Sequence, residues 1–492
     1  MAPPRTAAPQ GISPALSALL LFSFSTCLHV VYAGLVPLSP QEAYYWQYAR
    51  HPALSYFDHP PAAAWTIRAL TLLFGDGERV VRLAAASWSA VFTLFFFLSG
   101  RRLFGGRVAL VATGALLVTP FFSLGQTIIT PDGPLIAGWI ASFYFTVRAL
   151  DEERGAWLLA AGTAVAVASL GKYTGFALAP QILLGLALDP RGRRLLRTPW
   201  PYAGLLVAVA LFAPVLLWNA RHGWASFGFQ FAQRGAAMRL EPVLVGRFLG
   251  LQALVVSPVL FLGLLAAVVG AVRRWREPAM RLCALFSVPL LLLLATVSPF
   301  HWVKMNWAVP AYPSALLAAT AFFARSPRRW RPALVASVLV AALSTVYLLL
   351  MPLVPALPFP ARDDTMAGWK DLAARVAAAE AGTGGMPVVG CFYRVPSELA
   401  YYLPGRPETF SSNAFGEPGL AYDYWNDPAA LAGRDVIVVL DERDSEWCRR
   451  RGELCQPLEA LPHLEVRRAS ATVTTFHLWR CRYLGPPRPA QR

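Results

Sequence analysis

The sequence predicts an α-helical polytopic membrane protein of about eleven transmembrane helices, followed by a small C-terminal soluble α/β domain. Three observations predict it. Of 492 residues 56% are hydrophobic and 15% charged, whereas soluble domains carry about 25% charged residues. Long apolar runs bounded by charge or proline recur from the N-terminus to Leu350. Short Arg-rich loops fall on alternate connections between those runs, as the positive-inside rule requires.

The runs are Ala15–Ala33, Leu83–Leu98, Val108–Leu124, Pro134–Val147, Ala156–Leu170, Gly175–Leu188, Tyr202–Leu217, Phe248–Val272, Leu282–Val297, Trp307–Phe323 and Pro332–Leu350. Several are shorter than the ~20 residues a spanning helix needs, so their ends extend into the flanks. The first is long for a signal-peptide core, has only Arg5 before it and no cleavage site after it, and reads as a retained helix. The basic loops carry Arg101, Arg102 and Arg107, then Arg191 to Arg197, then Arg273 to Arg281, then Arg325 to Arg331. They put the N-terminus in the cytoplasm and the C-terminal part outside.

The formal charge of +16 does not describe a nucleic-acid-binding face. Residues 1–352 hold 28 Lys and Arg against 11 Asp and Glu, and residues 353–492 hold 16 against 17. The excess belongs to the membrane part, where it serves topology.

The outer connections carry the polar chemistry. The first, residues 37–80, contains QEAYYWQYARHPALSYFDHPP and then AAAWTIRALTLLF, an amphipathic stretch of the kind that lies in the membrane interface. Further along the same face come ITPDGPL, GKYTGF, WNARHGWASFGFQ and PFHWVKMNW, with aromatics placed as an interfacial belt. From Pro352 a proline-rich linker leads into residues 353–492. There Asp364 to Ala379 has helical spacing with Asp as N-cap, and MPVVGCF, DVIVVL and ATVTTFHLW read as strands. Cys27 and Cys283 lie in apolar runs. In the C-terminal part CRRRGELC predicts a Cys448–Cys455 disulfide if that face is oxidising, with Cys391 and Cys481 as a second pair. No CxxC metal pattern occurs.

Outer-face carboxylates are few: Glu42, Asp58, Asp76, Glu78, Asp132 and Glu241. Asp76 and Glu78 sit in the turn GDGER and read as solvated, and Glu241 precedes Pro242 as a capping residue. Glu42, Asp58 and Asp132 remain as catalytic candidates. Each has a structural alternative: a helix N-terminal carboxylate for Glu42, a turn cap for Asp58, an N-cap for Asp132. The candidate cations are Arg50, Lys172, Arg221 and Lys304; Lys172 lies between two apolar runs, where an unused ammonium is expensive.

As an ordered set over residues 38–320, QEAYYWQYARHPALSYFDHPP, ITPDGPL, GKYTGF, WNARHGWASFGFQ and NWAVPAYPSAL resemble bacterial family 39/83-type glycosyltransferases. These belong to the GT-C superfamily, with the protein O-mannosyltransferases and the lipid A aminoarabinose transferase. The resemblance implies a GT-C-type catalytic domain over residues 1–352 and a periplasmic soluble domain over 353–492, in a bacterial inner membrane. It implies an inverting enzyme that moves a sugar from a polyprenyl-phosphate donor to an envelope lipid, glycan or protein. A polytopic transporter or lipid flippase is the alternative of another class, against which the clustering of carboxylates at one membrane face speaks.

Most relatives open the first outer loop with Asp-Glu, the Asp being essential; here the pair is Gln41 and Glu42. Glu42 is therefore the expected acceptor base, with Asp58 and Asp132 in the same pocket. Tyr45, His59, Lys172, Tyr173, Arg221, His222, Lys304 and Asn306 are the expected substrate-binding residues. The chemistry asks for a carboxylate to take the acceptor's proton and for cations to hold the departing phosphate. A divalent metal is a possible cofactor, with Asp58, His222 and His301 as its candidate ligands.

Overall fold

A computed structural model describes residues 12–233, 239–327, 331–381, 385–444 and 451–486. The helical part begins with α1 (Pro14–Tyr32), then α2 (Pro40–Arg50) and α3 (Ala62–Phe74) in the first connection, α4 (Glu78–Phe104), α5 (Gly106–Leu117) and the short α6 (Pro120–Leu124). It continues through α7 (Asp132–Asp151), α8 (Trp157–Gly171), α9 (Leu178–Leu188), α10 (Pro190–Leu196), α11 (Trp200–Arg221) and the single turn α12 (Ala225–Phe227). Then come α13 (Val243–Val256), α14 (Pro258–Arg273), α15 (Pro278–Leu285), α16 (Val288–Val297), α17 (Tyr312–Arg325) and α18 (Arg331–Leu350).

Every apolar run is helical, but not every run is one long helix. Among the described residues five helices are long and apolar enough to cross a membrane, or six if one bent pair counts as a span. That pair is α13 and α14, predicted as a single run and bent by 104°. The cause is local: Ser257 adopts φ +81°, and Pro258 after it has no N–H to continue the ladder. The predicted interfacial helix is α3, which buries Ala62 to Ala64 and Ile67 and leaves Leu72, Leu73 and Phe74 uncovered.

At the centre is α7, buried along most of its length against α4 and α8. Small residues allow the close packing: a Cβ on Gly138 would meet the backbone of Ala164 and Ala168 at 2.5–2.9 Å, so glycine sets the distance between α7 and α8. This pairing brings the start of α7 beside the end of α8, where Asp132 and Lys172 sit.

The C-terminal region holds α19 (Trp369–Glu380), α20 (Arg394–Tyr402), α21 (Arg451–Leu454) and strands β1 (Val388–Gly390), β2 (Thr409–Phe410), β3 (Asp435–Asp441), β4 (Cys455–Arg468) and β5 (Ala471–Tyr483). The sheet order is β2-β1-β3-β5-β4, parallel among β2, β1 and β3 and antiparallel from β3 onward. Alternate residues of β3 face two cores, Ile437 and Val439 toward Trp369 and Phe476, Val436 and Val438 toward Phe415 and Tyr483. The predicted strands are β1, β3 and β5. The sequence reading missed β2, which is two residues long, and β4, whose face is mostly exposed and polar.

Two expectations are corrected here. Gly368, not Asp364, caps α19, and Asp364 is buried in an ion pair with Arg468 at 3.1 Å. Cys455 is bonded to Cys481, with Cα atoms 5.6 Å apart, not to Cys448. The reason is register: Cys455 opens β4 opposite Tyr483, which sets it diagonally across from Cys481 on β5. This also removes Cys481 as the partner of Cys391, which is itself disulfide-bonded. Cys448 lies outside the described residues, as do Arg328 and Arg329 of the last basic loop.

Candidate active site

The connection between α1 and α4 is folded by a helix start. Ser39 caps α2 in a capping box: its Oγ accepts from the Glu42 N–H, and the Glu42 carboxylate accepts from the Ser39 N–H at 3.0 Å. The rest of Glu42 belongs to Arg82 of α4, whose Nε and Nη2 donate to Oε1 and Oε2 at 2.9 Å each. The remaining guanidinium N–H groups donate to the carbonyls of Ala33, Val36 and Pro37 at 2.7–2.9 Å. Both side chains are essentially without solvent exposure. The Glu42 carboxylate, the expected acceptor base, has both oxygens bonded in an ion pair that fixes the loop between α1 and α2. The neighbouring residue, Gln41, is exposed on α2.

Asp58 is held by α2. Its Oδ1 accepts from the hydroxyls of Tyr44, at 3.2 Å, and Tyr48, while Gln230 Nε2 donates to its main-chain carbonyl. Tyr44, Tyr48 and Asp58 come together because α2 spaces the tyrosines one turn apart and the chain bends through Phe57 to His59 beside them before Pro60. Burial, and after it the Asp58 charge, pushes the phenols of Tyr44 and Tyr45 well above 10, so both remain neutral.

Asp132 opens α7 and binds two other predicted residues. Lys172 Nζ donates to Oδ1 at 2.8 Å and Asn306 Nδ2 to Oδ2 at 2.6 Å. Asp132 is 4% exposed and the Lys172 side chain 14% exposed. Three segments far apart in sequence thus converge on one carboxylate. Tyr45 joins the two centres: its phenol feels the charges of both Asp58 and Asp132, and its ring packs edge-on against His59 at 5.9 Å.

Other predicted residues surround this core. Tyr173 is buried, with its hydroxyl 2.6 Å from Ser226 Oγ. His222 packs its ring on Trp218 at 4.1 Å and bonds the Trp218 carbonyl through Nδ1. Arg221 is exposed beside it, and Lys304 is exposed near Asn306 in sequence. His301 stacks on Trp307. Among the described residues no three His, Cys, Asp or Glu side chains come together as metal ligands, so Asp58, His222 and His301 do not form the site expected of them.

The C-terminal region supplies residues the sequence reading did not place here. Tyr44 stacks against Tyr422 and lies 4.7 Å from the Tyr393 ring, and the Ala421 N–H donates to the Tyr44 hydroxyl at 3.0 Å. Trp425 stacks on His51 and meets Tyr48 edge-on. Asp76 and Glu78, expected to be solvated, are clamps to the same region. Asp76 accepts from Trp46 Nε1 at 2.8 Å and pairs with Arg406, while Glu78 accepts from the Tyr402 hydroxyl at 2.6 Å and pairs with Lys370. The one sequence signal for this was the aromatic run LAYDYW, dense for a surface loop of a soluble domain.

The chain resembles known proteins over most of its length. Residues 58–218 match the family described as dolichyl-phosphate-mannose-protein mannosyltransferase. The lipid A galacturonosyltransferase RgtD of Rhizobium johnstonii is 27% identical over 425 residues, covering 81% of this chain and 85% of that one. In fold, ArnT from Cupriavidus metallidurans in the apo state superposes with a TM-score of 0.66 at 18% identity, covering 95% of this chain and 98% of ArnT. ArnT bound to undecaprenyl phosphate gives 0.64 at 18% identity, over 94% and 97%.

Proposed function

We propose that the chain is an integral-membrane glycosyltransferase of the GT-C superfamily that transfers a sugar from a polyprenyl-phosphate donor to a lipid A-type glycolipid, with inversion. The reaction takes place on the periplasmic face of a bacterial inner membrane. The acceptor and donor classes are suggested by the relatives: RgtD acts on lipid A by its name, and ArnT has been seen with undecaprenyl phosphate. With this reading the transporter alternative falls away.

The observation that carries the assignment is the convergence of Lys172 and Asn306 on buried Asp132, with Asp58 a second buried carboxylate whose charge is felt at the same Tyr45 phenol. In the proposed step an acceptor hydroxyl gives its proton to a carboxylate as its oxygen attacks the anomeric carbon. The bond from that carbon to the phosphate oxygen breaks on the opposite face, and polyprenyl phosphate leaves as the anion. Asp58 is the base in this scheme. Glu42 is engaged by Arg82 and Ser39 and Asp132 by Lys172 and Asn306, whereas Asp58 accepts from the phenol hydroxyls of Tyr44 and Tyr48. Asp132 orients Lys172, whose ammonium has three protons and can offer others to the phosphate. Arg221 and Lys304 serve as rim charges that draw the donor headgroup in, and Tyr45, His59 and Tyr173 shape the wall between the centres.

The test supplies purified protein with lipid A and a panel of radiolabelled polyprenyl-phosphate sugars. Label should pass to lipid A from one donor, and Asp58→Asn should lower the rate by about 10²–10⁴-fold. Transfer by Asp58→Asn at the wild-type rate, with Asp132→Asn inactive, would move the base to Asp132.

A further inference from the structure

We propose that Tyr424 of the C-terminal region is the outer wall of an acceptor subsite, a ring on which a pyranose of the carbohydrate acceptor stacks. This rests on the glycosyl-transfer reading and assigns it a specificity-determining residue outside the helical part.

The geometry begins at Asp58. Phe57, next to it in sequence, stacks on Tyr424 with centroids 5.5 Å apart. Tyr424 also lies 5.5 Å from Trp218 and 5.7 Å from His222. Four aromatic rings from three separate segments therefore adjoin the candidate base. Tyr424 is nevertheless 41% exposed, so a face or edge of this cluster stays open to solvent. The segment is also tied to the base directly: the Ala421 N–H donates to Tyr44, and the Tyr44 hydroxyl donates to Asp58.

Ring faces carry partial negative charge, which suits the C–H faces of a sugar. The exposed part of Tyr424 is available to a ligand. The occupant is the acceptor rather than the donor because of where each must enter. A polyprenyl chain has to remain in hydrocarbon, so its phosphate arrives from the membrane-embedded side, at Lys172 between α8 and α9. Tyr424 belongs to the C-terminal region, outside the apolar helices, and packs on Phe57 next to Asp58.

The experiment uses full-length protein in detergent, with Tyr424→Leu and Tyr424→Phe beside the wild type and lipid A as the probe. Binding of lipid A without donor is followed by fluorescence of the neighbouring Trp218 and Trp425, and transfer kinetics are measured with whichever donor the wild type accepts. Tyr424→Leu should weaken lipid A binding and raise its KM about tenfold, the scale of one lost aromatic contact. The kcat and the KM for donor should be unchanged, and Tyr424→Phe should restore binding because the ring, not the hydroxyl, does the stacking. Equal lipid A affinity in Tyr424→Leu and wild type overturns the proposal, as does a failure of the wild type to bind lipid A. Wild-type binding that depends on Tyr424 without any transfer sustains the subsite and refutes only the assigned reaction.

Discussion

Replacing Glu42 by Gln separates a structural carboxylate from a catalytic one. In the native protein Arg82 directs two N–H groups at Glu42 and three at the carbonyls of Ala33, Val36 and Pro37, with neither side chain reached by water. Gln keeps the shape and one acceptor but leaves the guanidinium charge buried without its counter-ion. Removing one partner of such a pair costs about 3–5 kcal/mol. Glu42→Gln should fall near 3, since the carbonyls still bind Arg82, and Arg82→Met near 5, since it also strands Glu42 and those carbonyls. The double change Glu42→Met with Arg82→Met removes both charges and should recover part of the loss. Thermal unfolding in detergent, followed by fluorescence-detected size exclusion, reads the stability, and transfer is measured per folded molecule. The folded fraction of Glu42→Gln should remain active, far short of the ~10²–10⁴-fold loss that removing a base causes. A Glu42→Gln protein as stable as wild type but slower by that factor would show that the carboxylate acts on substrate and that the ion pair is incidental.

Three further outcomes follow from the same contacts. Lys172→Met should lower kcat or donor affinity while leaving the fold intact, and Asp132→Asn should do the same by releasing Lys172; additive effects in the double variant, read by transfer kinetics, would deny that the two act as a unit. Glu398 of α20 is fully buried with neither carboxylate oxygen hydrogen-bonded among the described residues, and burial followed by the Glu42 charge holds its pKa well above 4.5. A raised acid pKa means the folded state keeps the proton longer, so its stability falls as pH climbs from 4.5 to the folded-state value; Glu398→Gln should flatten that fall in unfolding midpoints measured from pH 5 to 8, and an unchanged slope would count against it. Non-reducing peptide mapping of protein from its native compartment should find Cys455 joined to Cys481, and Cys455→Ser should cost about 3 kcal/mol for a closed loop of that size.

Much of the architecture was legible because hydrocarbon and charge are segregated along the chain. Every apolar run became helix, and the interfacial character of α3 could be read from its spacing. The meeting of Asp132, Lys172 and Asn306 could be anticipated only as membership of one membrane face. Their actual contact depends on how closely α7 and α8 pack, which rests on Gly138 and is a tertiary property. Glu42 stood out because a carboxylate one position from an expected Asp looks like its substitute, while its ion pair was not legible. The decisive residue, Arg82, sits forty positions away in a helix that reads as an ordinary basic entrance. The tyrosines of LAYDYW were invisible as site residues because no local pattern says which surface a loop will cover. The cysteines failed for a related reason, since a short loop between Cys448 and Cys455 suggested closure while β4 and β5 registered Cys455 beside Cys481.

The contacts between α2 and the C-terminal region also order events in time. Ala421 reaches Tyr44 across 377 residues and Tyr402 reaches Glu78 across 324. A ribosome makes α2 first and its covering partner nearly last, so the aromatic face of α2 waits uncovered while the helices between are inserted. Contacts of such separation form only after the intervening chain has paid its closure entropy. Until then the phenols around Asp58 lack their outer neighbours, and a protein truncated before residue 420 has no finished pocket. On this geometry the aromatic face of α2 is completed only after residues 420–425 have been made and have packed on it.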